Sequence, residues 1–141
     1  MIMNTKTYTA HAGKKEQILK RLTDILGSRK NIQFAFLHGS FTGEVPFHDI
    51  DVAIYLSNAR EETATLDTLE LSNRLSNDFG VSVDVRPLNF ASIPFKYHAI
   101  RGRLLFERDE DLTAQFIEQT VQRYLDIKPL LLTGMQEAFA A

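Results

Sequence analysis

The 141 residues, 44% of them hydrophobic and 24% charged, have the length and balance of one ordinary globular domain with a single core. Sixteen Lys and Arg against 18 Asp and Glu leave a formal charge of -2, which gives no bulk attraction to nucleic acid or to an anionic membrane. The chain has no cysteine, which excludes disulfides, thiol catalysis and thiolate metal sites, and no apolar run near the ~18–20 residues that span a bilayer.

Residues 1–12 are a polar segment without a secretory pattern, so the expected location is the cytoplasm. From Gly13 the residues Ile18, Leu19, Leu22, Ile25 and Leu26 recur at steps of three and four, which predicts a helix ending at Gly27. Phe34 to Leu37 reads as a buried strand, and Gly39 to His48, with Gly43 and Pro46, as a loop or short helical turn. Asp49 to Leu56 alternates: Ile50, Val52, Ile54 and Leu56 on one side, Asp49, Asp51, Ala53 and Tyr55 on the other. A helix from about Ala59 to Phe79 is expected to turn Leu66, Leu69, Leu75 and Phe79 inward, with Gly80 ending it.

A second alternating strand, Val81 to Arg86, puts Ser82, Asp84 and Arg86 on one face and stops at Pro87. Residues 88–101 give a weaker helical signal interrupted by Pro94, and Arg103 to Arg108 reads as a short strand. Leu112, Phe116, Ile117, Val121, Tyr124 and Leu125 mark a last amphipathic helix up to Pro129. An apolar tail, 130–141, is expected to pack on the core or on a partner chain. This order predicts an α/β (α+β) fold, a small mixed sheet with helices on its apolar face and the carboxylates Asp49, Asp51 and Asp84 on its polar face.

The chemistry sits in that polar face. A strand repeats every two residues, so Asp49 and Asp51 point the same way with ~6.5–7 Å between their α-carbons. Their oxygens can converge on one hard cation or on two cations ~3.5–4 Å apart, and Asp84 joins them if its strand lies alongside. Three gathered carboxylates repel one another, and Mg²⁺, which takes carboxylate and phosphate oxygens, removes the conflict. Gly39 and Ser40 follow a buried strand, where a glycine admits phosphate oxygens to the backbone and a serine offers a hydroxyl donor. Strand, Gly-Ser turn and D-x-D strand together suggest in-line nucleotidyl transfer.

These residues resemble a minimal nucleotidyltransferase of the DNA polymerase β-like superfamily. The matching segments are His38-Gly39-Ser40, Asp49-Ile50-Asp51-Val52-Ala53 and Val83-Asp84-Val85, with weaker likeness in Gly102 to Glu107 and Tyr124-Leu125-Asp126. The resemblance implies a single nucleotidyltransferase domain over 1–141 that uses Mg²⁺, two ions, to transfer AMP from ATP to a hydroxyl. Asp49 and Asp51 would hold both metals, Asp84 the metal beside the nucleophile, and Gly39 and Ser40 the triphosphate. Many minimal members resemble antitoxins that add AMP to a tyrosine of a small helical HEPN-type RNase toxin, which makes such a toxin the implied partner. The sequence departs from the family pattern in two places. Only eight residues separate Ser40 from Asp49, and Phe41-Thr42 stand where a basic residue commonly follows Gly-Ser.

The same residues admit other readings. A degenerate member that neutralises a partner by contact alone is the alternative function. A haloacid dehalogenase-type phosphatase also uses D-x-D, but at the C-terminal end of its strand, whereas here the motif opens the strand. His11, His38, His48 and His98 lack the spacing of a zinc site. Lys96, Arg101 and Arg103 form a loose basic group that meets solvent, phosphate or an acidic partner. A homo-oligomer is left open.

Overall fold

The computed structural model describes residues 12–42 and 49–139. Helix α1 (Ala12–Gly27) buries Leu19, Leu22 and Leu26, spaced by three and four, and strand β1 (Ile32–His38) follows a short turn. A single turn of 3₁₀ helix, Gly39–Thr42, leaves β1. Strand β2 (Ile50–Leu56) runs antiparallel to β1; helix α2 (Glu61–Phe79) then crosses over, and β3 (Val83–Pro87) pairs parallel with β2. Helix α3 (Ile93–Ile100), strand β4 (Arg103–Glu107), antiparallel to β1, and helix α4 (Glu110–Phe139) complete the chain. The sheet order is β3-β2-β1-β4.

The mixed sheet carries helices on its apolar face as expected. Leu37, Ile50, Val52, Ile54, Val83 and Val85 meet Leu19, Leu22 and Leu26 of α1 and Leu71 and Leu75 of α2 in one buried cluster. The opposite face is not polar throughout. Phe34, Phe36 and Ala53 on it are buried under Phe95 and Ala99 of the α3 segment and Leu112, Phe116 and Ile117 of α4. Phe34 stacks on Tyr55 with ring centroids 4.9 Å apart, and Phe116 closes over both. The sheet is therefore covered on both sides, and the end of the second face where β1 stops and β2 and β3 begin carries the charged side chains Asp51, Asp84 and Arg86.

Four expectations need correction. Leu66 and Leu69 are exposed; α2 faces the sheet with Ala64, Thr68, Leu71, Ser72 and Leu75 instead. Small residues belong there because the Ser72 and Ser76 hydroxyls accept the outward N–H groups of Val85 and Val83 at 2.8 Å each, sealing the edge of β3. Pro94 does not interrupt a helix but begins one, standing in the first turn of α3, where the Ser92 hydroxyl accepts the Phe95 N–H. Pro129 does not end α4, which runs on through it. The ring removes a donor, but this stretch is exposed, so the freed carbonyl is not buried without a partner. Leu125, Leu130, Leu131, Leu132 and Met135 are consequently exposed, so residues 130–138 of the tail do not pack on the core.

Candidate active site

Sheet register builds the site. In the antiparallel pairing of β1 with β2, Phe34 lies opposite Tyr55, Phe36 opposite Ala53 and His38 opposite Asp51. In the parallel pairing of β2 with β3, Asp51 lies opposite Asp84 and Ala53 opposite Arg86. One row across three strands therefore reads His38, Asp51, Asp84, and the next reads Phe36, Ala53, Arg86. Since side chains alternate between faces, all six share the face under α3. Asp49 stands one residue before β2, two from Asp51.

Gly39 accounts for how the turn can pass so close to the carboxylate row. Its φ is +80°, and a β-carbon there would collide with the Asp51 carboxylate. The Gly-Ser pair predicted as a phosphate grip thus has a glycine whose backbone rests against the second carboxylate of the D-x-D. The backbone of Ser40 lies in the same turn, while its side chain and residues 43–48, including His48, lie outside the described residues, as does His11.

The electrostatics show acids crowded together. Partial burial and the charges of Asp49 and Asp84 push the Asp51 carboxyl up to about 6, and Arg86 and His98 offset only part of this. Asp84 is held by Arg86, Nε to Oδ2 at 2.9 Å, an ion pair that follows from the two residues lying two apart on one face of β3. That pair aims the Asp84 carboxylate along its own strand. Among the described residues no three His, Cys, Asp or Glu side chains converge as a preformed metal cage.

His38 forms the opposite wall. It is 8% exposed, and its Nε2 has no hydrogen-bond partner among the described residues. Burial first, then the positive potential of His98 and Arg86, hold its imidazole down at about 4, so it is neutral near pH 7. Phe95 meets it edge-on at 5.5 Å and His98 at 5.3 Å, and the Arg86 guanidinium lies 5.6 Å from the centre of the Phe95 ring. The predicted site residues Gly39, Asp49, Asp51 and Asp84 are thus brought to one corner of the molecule. Sequence reasoning missed Arg86 as the partner of Asp84, although their shared face was visible. It also missed Phe95 and the joining of His98 to His38, for which the sequence carries no local signal.

The sequence profile of the family described as Polymerase beta, Nucleotidyltransferase matches residues 20–111, a span that includes the Gly-Ser turn and all three aspartates. The chain belongs to this family. Structural likeness agrees with the fold. A chain of the tri-AMPylated Shewanella oneidensis HEPN toxin in complex with MNT antitoxin superposes with a TM-score of 0.72 at 17% identity, over 88% of this chain and 98% of that one. A chain of the toxin–antitoxin MntA-HepT gives 0.71 at 17% identity, over 87% and 97%. A chain of a toxin–antitoxin with AMP-PNP gives 0.67 at 20% identity, over 91% and 98%. No curated protein sequence matches significantly.

The donor set of this nucleotidyltransferase fold fits a divalent cation. Two carboxylates two residues apart, with a third across a parallel strand, supply hard oxygen ligands. The raised Asp51 carboxyl records negative charge that is only partly balanced by the protein itself.

Proposed function

We propose that this chain is a Mg²⁺-dependent nucleotidyltransferase that moves AMP from ATP to a hydroxyl of a partner protein, the partner being a HEPN-type toxin. The observation that carries the reading is the row of Asp51 and Asp84 across two parallel strands, with Gly39 pressed against Asp51 from the phosphate-binding turn. Asp49 and Asp51 would hold both ions and Asp84 the ion on the acceptor side; bound Mg²⁺ supplies charge for the phosphates and acidifies the acceptor hydroxyl. The acceptor oxygen forms a bond to the α-phosphorus as the bond to the α–β bridging oxygen breaks. Pyrophosphate departs with that electron pair, and the hydroxyl proton passes to the Asp84 carboxylate. Gly39 and Ser40 orient the triphosphate in line with the acceptor. The neutral His38 beside Asp51 adds no positive charge of its own to the metal corner. What supports the partner is the likeness to a chain from a complex of a tri-AMPylated HEPN toxin with MNT antitoxin.

The test is transfer of label from α-labelled ATP to a co-purifying protein in the presence of Mg²⁺. Label should appear on the partner and fall at least a hundredfold in Asp49→Asn and Asp51→Asn. The ion pair between Asp84 and Arg86 favours a second reading, a contact-only neutraliser whose third carboxylate is already satisfied. Under that reading no label transfers, and both asparagine variants still block the partner.

A further inference from the structure

The corner next to the carboxylates holds a cavity that the aspartates do not use. It is an open cleft of about 360 Å³, lined by His38, Gly39, His98, Arg101 and Gly102. That is room for about a dozen waters. Two of its five lining residues are glycines that the backbone needs. A β-carbon at Gly39 would strike Asp51, and one at Gly102 would strike the carbonyl oxygen of Leu37. The turn between α3 and β4 is thereby drawn against the end of β1, so the C-terminus of α3 overhangs the Gly-Ser turn. A buried imidazole edge without a hydrogen-bond partner borders the same space.

The charge on this cavity is positive where the family pattern is deficient. Between Lys30 and Arg60 the sequence has no lysine or arginine, so the Gly-Ser turn carries no cation of its own. Of the nearby cations, Arg86 is committed to Asp84, and Lys15 lies over the Phe41 ring, 5.3 Å from its centre, on the α1 side. Arg101 caps α3 and lies 5.6 Å from the centre of the Tyr97 ring, and its guanidinium has no ion-pair or hydrogen-bond partner among the described residues. His98 is exposed, one helical turn before Gly102, with its ring against His38. A planar guanidinium and an imidazole lining one cleft, beside a metal-binding corner, have the chemistry of a polyphosphate seat.

We propose that Arg101 and His98, in the cleft that Gly39 and Gly102 shape, seat the terminal phosphates of the nucleoside triphosphate and the pyrophosphate it releases. These residues replace, from the α3 end, the basic residue that Phe41-Thr42 displaces after Gly-Ser. The assignment deepens the nucleotidyl-transfer reading and rests on it for the identity of the ligand, but its test does not depend on transfer.

Calorimetric titration of the full chain with Mg²⁺-tripolyphosphate, Mg²⁺-ATP and AMP tests it. Arg101→Gln and His98→Gln should each weaken tripolyphosphate and ATP binding by about tenfold or more while AMP affinity stays within about twofold. Arg101→Lys should recover part of the loss. Arg103→Gln, whose guanidinium pairs with Glu16 on the α1 side, should match the wild type. Tripolyphosphate binding that survives in both glutamine variants overturns the assignment and leaves nucleotidyl transfer standing; so does a wild type that does not take up tripolyphosphate. Tripolyphosphate binding that depends on Arg101 without any label transfer to protein upholds the seat and removes the transferase reading. Both sites are exposed, and a melting temperature equal to wild type confirms that each variant is folded.

Discussion

Asp51 is the residue whose placement is paid for by the fold. Its carboxyl is raised from 3.8 to about 6, by burial first and then by Asp49 and Asp84. Between those values the folded chain binds more protons at this site than the unfolded one, so this contribution to stability falls as pH rises from about 4 to about 6. His38 works in the opposite sense. Held near 4 rather than 6.5, it favours the folded state increasingly as pH rises from about 4 to 6.5. Comparing wild type with Asp51→Asn isolates the aspartate. The variant should melt with the wild type near pH 4 and above it beyond about pH 6. Discounted for the carboxylate's contact with water, the gain is on the order of 1 kcal/mol, or ~3 °C. Added Mg²⁺ should raise the wild-type melting temperature at neutral pH and leave the variant's nearly unmoved. Gly39→Ala attacks the same spot from the other side. A left-handed alanine costs ~1–2 kcal/mol, and its methyl must displace the Asp51 carboxylate. Mn²⁺ binding followed by electron paramagnetic resonance should weaken more than tenfold in that variant.

At the scale of elements, the fold depends on side chains that serve neighbouring backbone. Arg108, just past β4, donates from Nε to the Ile32 carbonyl at 2.7 Å and from one terminal nitrogen to the carbonyls of Gly27 and Arg29 at 2.7 and 2.8 Å. One guanidinium therefore fixes the turn between α1 and β1 and the end of β4. Arg108→Met should cost about 1.5–3 kcal/mol in denaturant unfolding, whereas an exposed arginine without such partners, such as Arg60, should cost under about 0.5 kcal/mol. This dependence shows what a sequence discloses. The D-x-D and its strand were legible because the two-residue period is local, and α1 because its leucines keep one stripe. The inward side of α2 was not legible. Leu66 and Leu69 look like a core stripe, but the edge of β3 selects the serines a few residues on, a choice visible only once the strand is in place. Arg86 shares a legible strand face with Asp84, but the ion pair between them depends on side-chain geometry that the period alone does not give.

At the scale of the whole molecule, helix α4 divides into two parts with different functions. Its first half packs Leu112, Phe116 and Ile117 over the aromatic end of the sheet, with Thr113 and Thr120 buried. Tyr124 stacks on Tyr97 of α3, 3.7 Å between centroids, and ties the two helices together. Beyond Lys128, by contrast, residues 129–138 are all exposed. Burial is what stabilises a helix in a small domain, so the second half adds little to the folded state on its own. A chain ended after Lys128 should melt within ~2 °C of the full chain by circular dichroism, with helical signal lost in proportion to the residues removed. Ending the chain after Thr120 instead removes the Tyr97–Tyr124 stack and should lower the melting temperature by more than ~5 °C. A large loss from the first truncation would mean that the distal helix, despite its exposure, supports the carboxylate corner through α3. An unchanged melt places the folding boundary of this domain between Tyr124 and Pro129.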